Sequence, residues 1–437
     1  MQYSPSRRTA LVLCGTGAHG AYHAGVLRAL QEAGVRIDLV AGHGVGAAGA
    51  MLSAIDGSGR LWEPAGIWRS PQSRTLYAWT PAMRVALWAL LTLLVSLLIP
   101  TLLMVLMPSM DSMRRVAQVV IAVLIGAIAA IAVAVGVARS QWQGKRRALG
   151  THWSGIAGAP FDATRAVGVF SQTIWQLIRG ASRDPQPPPD SGGRYADVLA
   201  ESLGQPGFRE LMIVATDLDA HGDVVAALLR EPYRRDFIAP RPGRERRAEA
   251  FDLAGAGREH TLDLMAAALT PPVVCEPRLV TFASDGFWRG ETHRLCDRPG
   301  AVIRLFDELA GAAVSQVIAV TAVPTAFTPH RLRPPRLDVR SRLGEFLAAA
   351  EAAALHDAVN VARLRFDACY VIRPAHNPVG PFDVSGAYDE ASDRRHSTAE
   401  LMERGYEDAY HQFIEPVVGA SGDQLARADS HEPSSLA

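Results

Sequence analysis

Apolar residues fall into three patterns along this chain, and each predicts a different kind of element. Near the start, the run ALVLC (residues 10–14) gives way to the glycine-rich GTGAHG. Val26, Leu27 and Leu30 then form a helical stripe that stops at Gly34. A second run, IDLVAG, leads through a tight turn into VGAAGAMLSAID. Residues 10–57 therefore read as strand, glycine loop, helix, strand, turn, helix, a βαβα unit of the kind that builds parallel sheets. Later runs predict more buried strands: LMIVATDL (211–218) and VVAALL (224–229) around the turn DAHGD, then VIAV (317–320) and ACYVI (368–372). Helices are expected over residues 340–363 and 398–413, and in part over 153–179.

The third pattern has no polar face. Residues 85–107, VALWALLTLLVSLLIPTLLMVLM, and residues 116–138, VAQVVIAVLIGAIAAIAVAVGVA, carry no charge. Each is long enough, as helix, to cross a hydrocarbon core of about 30 Å. Two adjacent runs of this length fit a pair of buried core helices poorly. The loop between them, PSMDSMRR, is short, so the expectation is a transmembrane hairpin whose flanks share one side. Arg69, Arg74 and Arg84 precede it, and Arg139, Lys145, Arg146 and Arg147 follow, whereas the loop offers only Arg114 and Arg115. The positive-inside bias puts the flanks in the cytoplasm, giving a two-span protein of the inner membrane. Trp79, Trp88 and Trp142 stand near the ends of the spans. The five-residue apolar run near the N-terminus is too short for a signal peptide.

Composition narrows the picture little. Of 437 residues, 44 are basic and 44 acidic, so no overall field favours nucleic acid. The four cysteines, Cys14, Cys275, Cys296 and Cys369, lack the close spacing of a zinc site or redox pair, so neither metal nor cofactor is expected. ASRDPQPPPDSGGR (181–194) reads as an exposed loop, and RPGRERRAE (241–249) as a solvated charge run. The end of the chain, from residue 420, reads as disordered.

Chemistry concentrates in two glycine motifs. Gly15-Thr16-Gly17-Ala18-His19-Gly20 fits G-x-G-x-x-G, but a dinucleotide site also needs an acid at the end of the second strand. That strand ends Val40-Ala41-Gly42-His43, with Asp38 at its beginning, so the dinucleotide reading fails. The same loop can serve as an oxyanion hole, its backbone N–H groups converging at a helix N-terminus. Gly42-His43-Gly44-Val45-Gly46 then occupies the place of a nucleophile elbow, where flanking glycines permit a sharp strand-to-helix bend. The central residue is Gly44, which has no side chain to attack an ester. Cys14, beside the loop, is the only reactive side-chain type there, though a small buried thiol is its simpler reading. Ser53 reads as a plain helix residue, His221 and Asp223 as loop residues, and His23 and His43 as structural histidines that could bracket a pocket.

GTGAHGAYHAGVLRAL, AGHGVGAAGAML, IVATDL and the pair Asp285-Gly286, in this order, resemble the patatin-like phospholipase family. VIRPAHNPVGPFDVSGAYDEASDRR and TAELMERGYEDAYHQF are similar to C-terminal portions of its bacterial members. The resemblance runs from about residue 9 to 418, apart from the hairpin. It implies an α/β fold, here a patatin-like parallel-sheet sandwich interrupted by a two-helix transmembrane hairpin. It also implies a serine–aspartate dyad acting on acyl esters of membrane lipids, without cofactor. On that basis Gly15, Thr16, Gly17, Ala18, His19 and Gly20 match the oxyanion loop, and Gly42, His43 and Gly46 the elbow. Asp285, with Gly286, matches the base, and Gly44 stands where the serine would be. The implied organisation is 1–83 as the first part of the domain, 84–138 as the hairpin, 139–419 as the remainder and 420–437 as a tail. The expected protein binds or acts on membrane lipids with dyad hydrolysis lost or impaired. An active hydrolase using another nucleophile or water, and a non-catalytic membrane scaffold, are the alternatives. The amides near Gly17 and the carboxylate of Asp285 are expected to converge on position 44, where restoring serine would restore turnover.

Overall fold

The computed structural model describes residues 3–106, 115–116, 118–119, 121–123, 125–130, 133, 158–180, 182, 184–239, 248–284, 288–325, 338–389 and 392–419. The chain divides into two compact units, one of residues 1–77, 163–272 and 277–437, the other of residues 78–162 and 273–276. Several expectations fall outside the described residues: Asp285 and Gly286, most of the second apolar run, most of the charge run, and the tail from residue 420.

The strands are β1 (Thr9–Gly15), β2 (Leu39–Gly44), β3 (Ala78–Trp79), β4 (Phe161–Asp162), β5 (Glu210–Asp217), β6 (Gly222–Leu228), β7 (Ala248–Asp252), β8 (Arg278–Thr281), β9 (Thr292–Cys296), β10 (Gln316–Thr321), β11 (Ala368–Ile372) and a separate antiparallel pair, β12 (Ala387–Asp389) and β13 (Arg394–His396). In the first unit they form a sheet of order β11-β10-β1-β2-β5-β6-β7, with the β8–β9 hairpin attached to the end of β5. Strands β11, β10, β1, β2 and β5 are mutually parallel. All seven residues of β1 are buried, as a strand covered on both faces requires, which is why it reads as an unbroken apolar run.

The sheet is mixed rather than purely parallel. β6 runs antiparallel to β5, from Asp217 opposite Gly222 to Leu211 opposite Leu228. The turn between them is too short for a parallel crossover, and His221 takes a left-handed φ of 56° to close it. Strands β7, β8 and β9 have no clear apolar alternation in the sequence. Three residues of β7 and three of β8 are only partly buried or exposed, so packing left little pattern to read. The expected loop over residues 181–194 ends earlier than anticipated, because a helix, Ser191–Ser202, begins inside it.

Two helices position the site. α1 (Gly20–Glu32) follows the glycine loop, and Gly34 stops the chain beyond it at φ 65°. α2 (Val45–Ala54) starts directly from the end of β2. On the opposite face, Val12, Cys14, Ala41 and Met212 pack against Leu305, Phe306, Leu355 and Ala358 of the helices Val302–Gly311 and Val339–Arg365. Fully burying a Leu or Phe side chain in this way contributes about 1.5–3 kcal/mol.

In the second unit, β3 pairs with β4, setting Trp79 opposite Phe161 with ring centroids 4.6 Å apart. The 26-residue helix Pro81–Leu106 follows. Counted over the described residues alone, no helix is long and apolar enough to cross a membrane. Within Pro81–Leu106 the described side chains are interrupted at 97, 100, 101 and 103–106. The expected two-span hairpin therefore has no complete counterpart among the described residues.

Candidate functional site

The carboxyl ends of β1 and β2 lie side by side, with Cys14 opposite His43 and Gly15 opposite Gly44. Both expected glycine motifs thus meet at one edge of the sheet, and close packing explains their glycines. A Cβ on Gly46 would stand 2.0 Å from the Leu13 carbonyl oxygen, and one on Gly42 2.3 Å from the Gly46 backbone. Gly20 starts α1 against the Trp68 ring, 2.3 Å from where its Cβ would be. These contacts let α2 leave β2 at a sharp angle.

Gly44 adopts φ 58° and ψ −137°, a conformation that L residues rarely take. A Cβ there would meet the Gly15 carbonyl oxygen at 2.1 Å and Asp297 Oδ2 at 3.0 Å. No space for a hydroxyl therefore remains at this position, because the backbone of β1 has closed over it. The elbow geometry is present, but its central position accepts only glycine.

The carboxylate at the site is Asp297, directly after β9, and Asp285 is outside the described residues. Asp297 is 1% exposed; its Oδ2 accepts from Thr16 Oγ1 at 3.3 Å and its Oδ1 lies 3.4 Å from His43 Nδ1. Its own N–H donates to the Thr270 carbonyl. Sequence reading missed Asp297 because Cys296-Asp297-Arg298-Pro299-Gly300 looks like an ordinary turn after a strand that has no visible alternation. Its adjacency to Gly44 follows from β9 pairing with the end of β5 at Thr216 and Asp217.

The oxyanion loop is also differently disposed from the expectation. Ala18 N–H donates to the Pro381 carbonyl at 2.7 Å. Gly17, at φ 58°, lies so close that a Cβ would come 2.0 Å from the same oxygen. A backbone carbonyl of the chain itself thus takes the amide that would stabilise a developing oxyanion. The Pro381 loop is fixed locally: Asn377 donates its side-chain N–H to the Ala322 carbonyl and accepts from Val379 N–H, and Gly380 N–H donates to Asp383. Beside it lies a cavity of about 100 Å³, lined among others by His19, Arg340, Ser341, Asn377 and Phe382.

A second carboxylate, Glu351 on the helix Val339–Arg365, is 1% exposed beneath the glycine loop. It accepts from Thr321 Oγ1 at 3.2 Å, and His19 Nδ1 is 3.8 Å from its other oxygen. Burial raises the pKa of Glu351, but His19, His43 and His23 together outweigh it and hold the carboxyl below its ordinary value. A lone acid inside the apolar stretch AAAEAAAL was the available signal for this residue. His23 contacts the Cys14 carbonyl through Nε2 at 2.9 Å, and burial lowers its pKa to about 4. His43 is wholly buried, which lowers its pKa, yet Asp297 and the Cys14 thiol outweigh burial and raise it. Burial raises the Cys14 pKa more than His43 lowers it, so the thiol stays protonated. The contact between the two is loose, since His43 Nε2 has no partner of good hydrogen-bonding geometry.

Of the other weighed residues, Ser53 Oγ bonds back to the Gly49 carbonyl within α2, and Asp223 accepts from Thr216 and Arg298. Both act within the framework. Among the described residues, no group of three or more His, Cys, Asp or Glu side chains could hold a metal ion.

Residues 11–97 match the family model described as patatin-like phospholipase. The solved structure of VipD from Legionella pneumophila is similar at 13% identity and a TM-score of 0.34, the match covering 96% of this chain and 68% of VipD. No curated protein matches the chain.

Proposed function

We propose that this chain, whose residues 11–97 carry the patatin-like phospholipase signature, is a membrane-embedded protein that binds acyl lipids without hydrolysing them through a serine–aspartate dyad. One observation carries the reading: the Gly15 carbonyl occupies the space of a side chain at position 44. The Pro381 carbonyl on Ala18 N–H supports it. The cavity beside the glycine loop, about 100 Å³, is below the roughly 300 Å³ at which ligand pockets begin, and the reading assigns lipid contact to the apolar segment instead.

Support for membrane embedding comes from the helix Pro81–Leu106. Val85, Ala86, Leu87, Trp88, Ala89, Leu90, Leu91, Leu94 and Val95 are all exposed, and at about 100° per residue they run right round the helix. A helix apolar all round belongs in a core or in lipid, and the described residues build no core about this one. With the second apolar run, it makes a two-span hairpin of the inner membrane with the sheet unit in the cytoplasm, following the arginine bias.

The test is ester and phospholipid hydrolysis by the full chain in detergent, with mass spectrometry of co-purifying lipid. The expected outcome is bound acyl lipid and no turnover above buffer. Gly44→Ser is expected to stay silent and to lose about 2–4 kcal/mol of stability through strain and overpacking. Turnover in the natural chain that disappears in Asp297→Asn would overturn the reading, as would the absence of any bound lipid.

A second reading is an acyl hydrolase with Cys14 as nucleophile. It is favoured by the succession of Cys14 thiol, His43 and Asp297, which has the order of nucleophile, base and orienting acid. Complete burial and a raised thiol pKa oppose it. Turnover lost in Cys14→Ala would establish it in place of the first.

A further inference from the structure

We propose that Val273 is a lipid anchor seated at the headgroup–acyl boundary of the bilayer, a role that rests on the membrane-embedded reading above. Val273 takes a left-handed φ of 67°. For a β-branched residue this is an outlier, because both γ carbons crowd the backbone there. The side chain is 82% exposed, so no packing within the protein offsets that conformation. A strained, exposed apolar residue does nothing for the fold that Gly or Asn would not do better.

Its surroundings identify the occupant. Residues 273–276 belong to the same compact unit as the apolar segment. Phe161 N–H donates to the Val274 carbonyl at 3.0 Å and Phe161 forms a parallel bridge with Cys275. Ala159 N–H donates to Glu276 at 3.0 Å. Phe161 in turn pairs with Trp79, and Thr80 N–H donates to the Pro160 carbonyl. The strap holding Val273 is thus tied, through Ala159–Phe161, to Trp79 and Thr80, which lead into the helix at Pro81. The helix opens at Pro81, and its first exposed apolar side chain, Val85, stands about 6 Å along the axis at 1.5 Å per residue. Trp79, half-buried against Phe161, is the residue type that favours the membrane–water interface. On the membrane-embedded reading the strap, beside the start of the helix, stands where the chain would enter lipid, and the Val273 side chain is of the kind that the boundary accepts.

The experiment uses the full chain in lipid vesicles, with a fluorescent nitrobenzoxadiazole label on Val273→Cys or Leu94→Cys in a Cys369→Ser background. Cys14, Cys275 and Cys296 are buried and remain unlabelled. Nitroxides on shallow acyl carbons are expected to quench the Val273 label about twofold or more, as for a group sunk 5–10 Å into the interface. Aqueous iodide should leave it nearly unchanged. Iodide quenching at Val273 with lipid quenching at Leu94 would overturn the anchor alone, including in favour of a protein partner there. Iodide quenching at both would overturn the membrane reading with it. Val273→Asn, which tolerates the left-handed backbone, is expected to keep or raise the thermal midpoint and to loosen the contact of its own strap with the vesicle. A lowered midpoint would mark Val273 as structural and sink the proposal.

Discussion

Two helices of nearly pure apolar composition have opposite surroundings in this protein. α2, Val45–Ala54, is buried at every residue, whereas Pro81–Leu106 exposes apolar side chains on all sides. The difference lies in size and length rather than in hydropathy. α2 is ten residues of mostly Gly and Ala, so its backbone can press against β1 at Gly46 and Gly49. The other is 26 residues rich in Leu and Val, too bulky for such a close approach of backbone to backbone. Small apolar residues mark close packing of backbone on backbone, and the long run of large ones is what the membrane-embedded reading rests on.

The sharpest way to break this comparison is to put bulk into the buried helix. Gly46→Leu should cost about 4–5 kcal/mol or more, because the first side-chain carbon already collides with the Leu13 carbonyl. Loss of the folded sheet unit, followed by limited proteolysis and circular dichroism, checks it. A well-folded Gly46→Leu protein would mean that α2 does not sit on β1 as described.

The next effect is electrostatic and belongs to the buried side alone. His23 has a pKa lowered from 6.5 to about 4, burial being the largest cause. In the unfolded chain the imidazole binds a proton over that interval, whereas in the fold it does not. Stability from this group is therefore complete above about pH 6.5 and is lost as pH falls towards 4, by roughly 3 kcal/mol. Glu351 acts in the same direction below its ordinary carboxyl range, since its pKa is lowered in the fold. His43, whose pKa is raised, acts oppositely: its contribution is present at low pH and fades as pH rises through the raised value. Denaturant midpoints measured at pH 4–6.5 should change less in His23→Gln than in the natural chain. Equal slopes would show that His23 is not held neutral.

The smallest effect is expected on the exposed helix. Leu94 is 57% exposed, so Leu94→Ala should shift the stability of the sheet unit by less than about 0.5 kcal/mol. On the membrane-embedded reading, Leu94→Lys should instead reduce membrane retention, since a charge near the middle of a span costs about 2.5–3.5 kcal/mol on insertion. Fractionation of cells into membrane and supernatant reads this directly. A large loss of sheet-unit stability in Leu94→Ala would show the helix to be a core element after all.

Much of the fold was legible because buried parallel strands leave unbroken apolar runs. β1, β10 and β11 lie where ALVLC, VIAV and ACYVI indicated, and α1 stops near Gly34 for the conformational reason that glycine signals. β7, β8 and β9 were not legible, since half-exposed strands need no apolar run. That gap hid Asp297, which reaches Gly44 only because β9 docks on β5. Pro381 was hidden for another reason: its contribution is a backbone carbonyl, and no side-chain pattern announces where a carbonyl points.

The residues alone determined the βαβα start, the two glycine motifs at adjacent strand ends, the missing side chain at position 44 and the uncharged runs that follow. These depend on local sterics and on periodicity, which act within a few residues. Only the tertiary structure decided what surrounds position 44: the Gly15 carbonyl in the space of a side chain, Asp297 beside it, and Pro381 on the Ala18 amide. Those neighbours come from segments about 30 to 340 residues away, brought together by sheet order and burial. Contacts set by closure of the whole chain leave no local trace in the sequence that makes them.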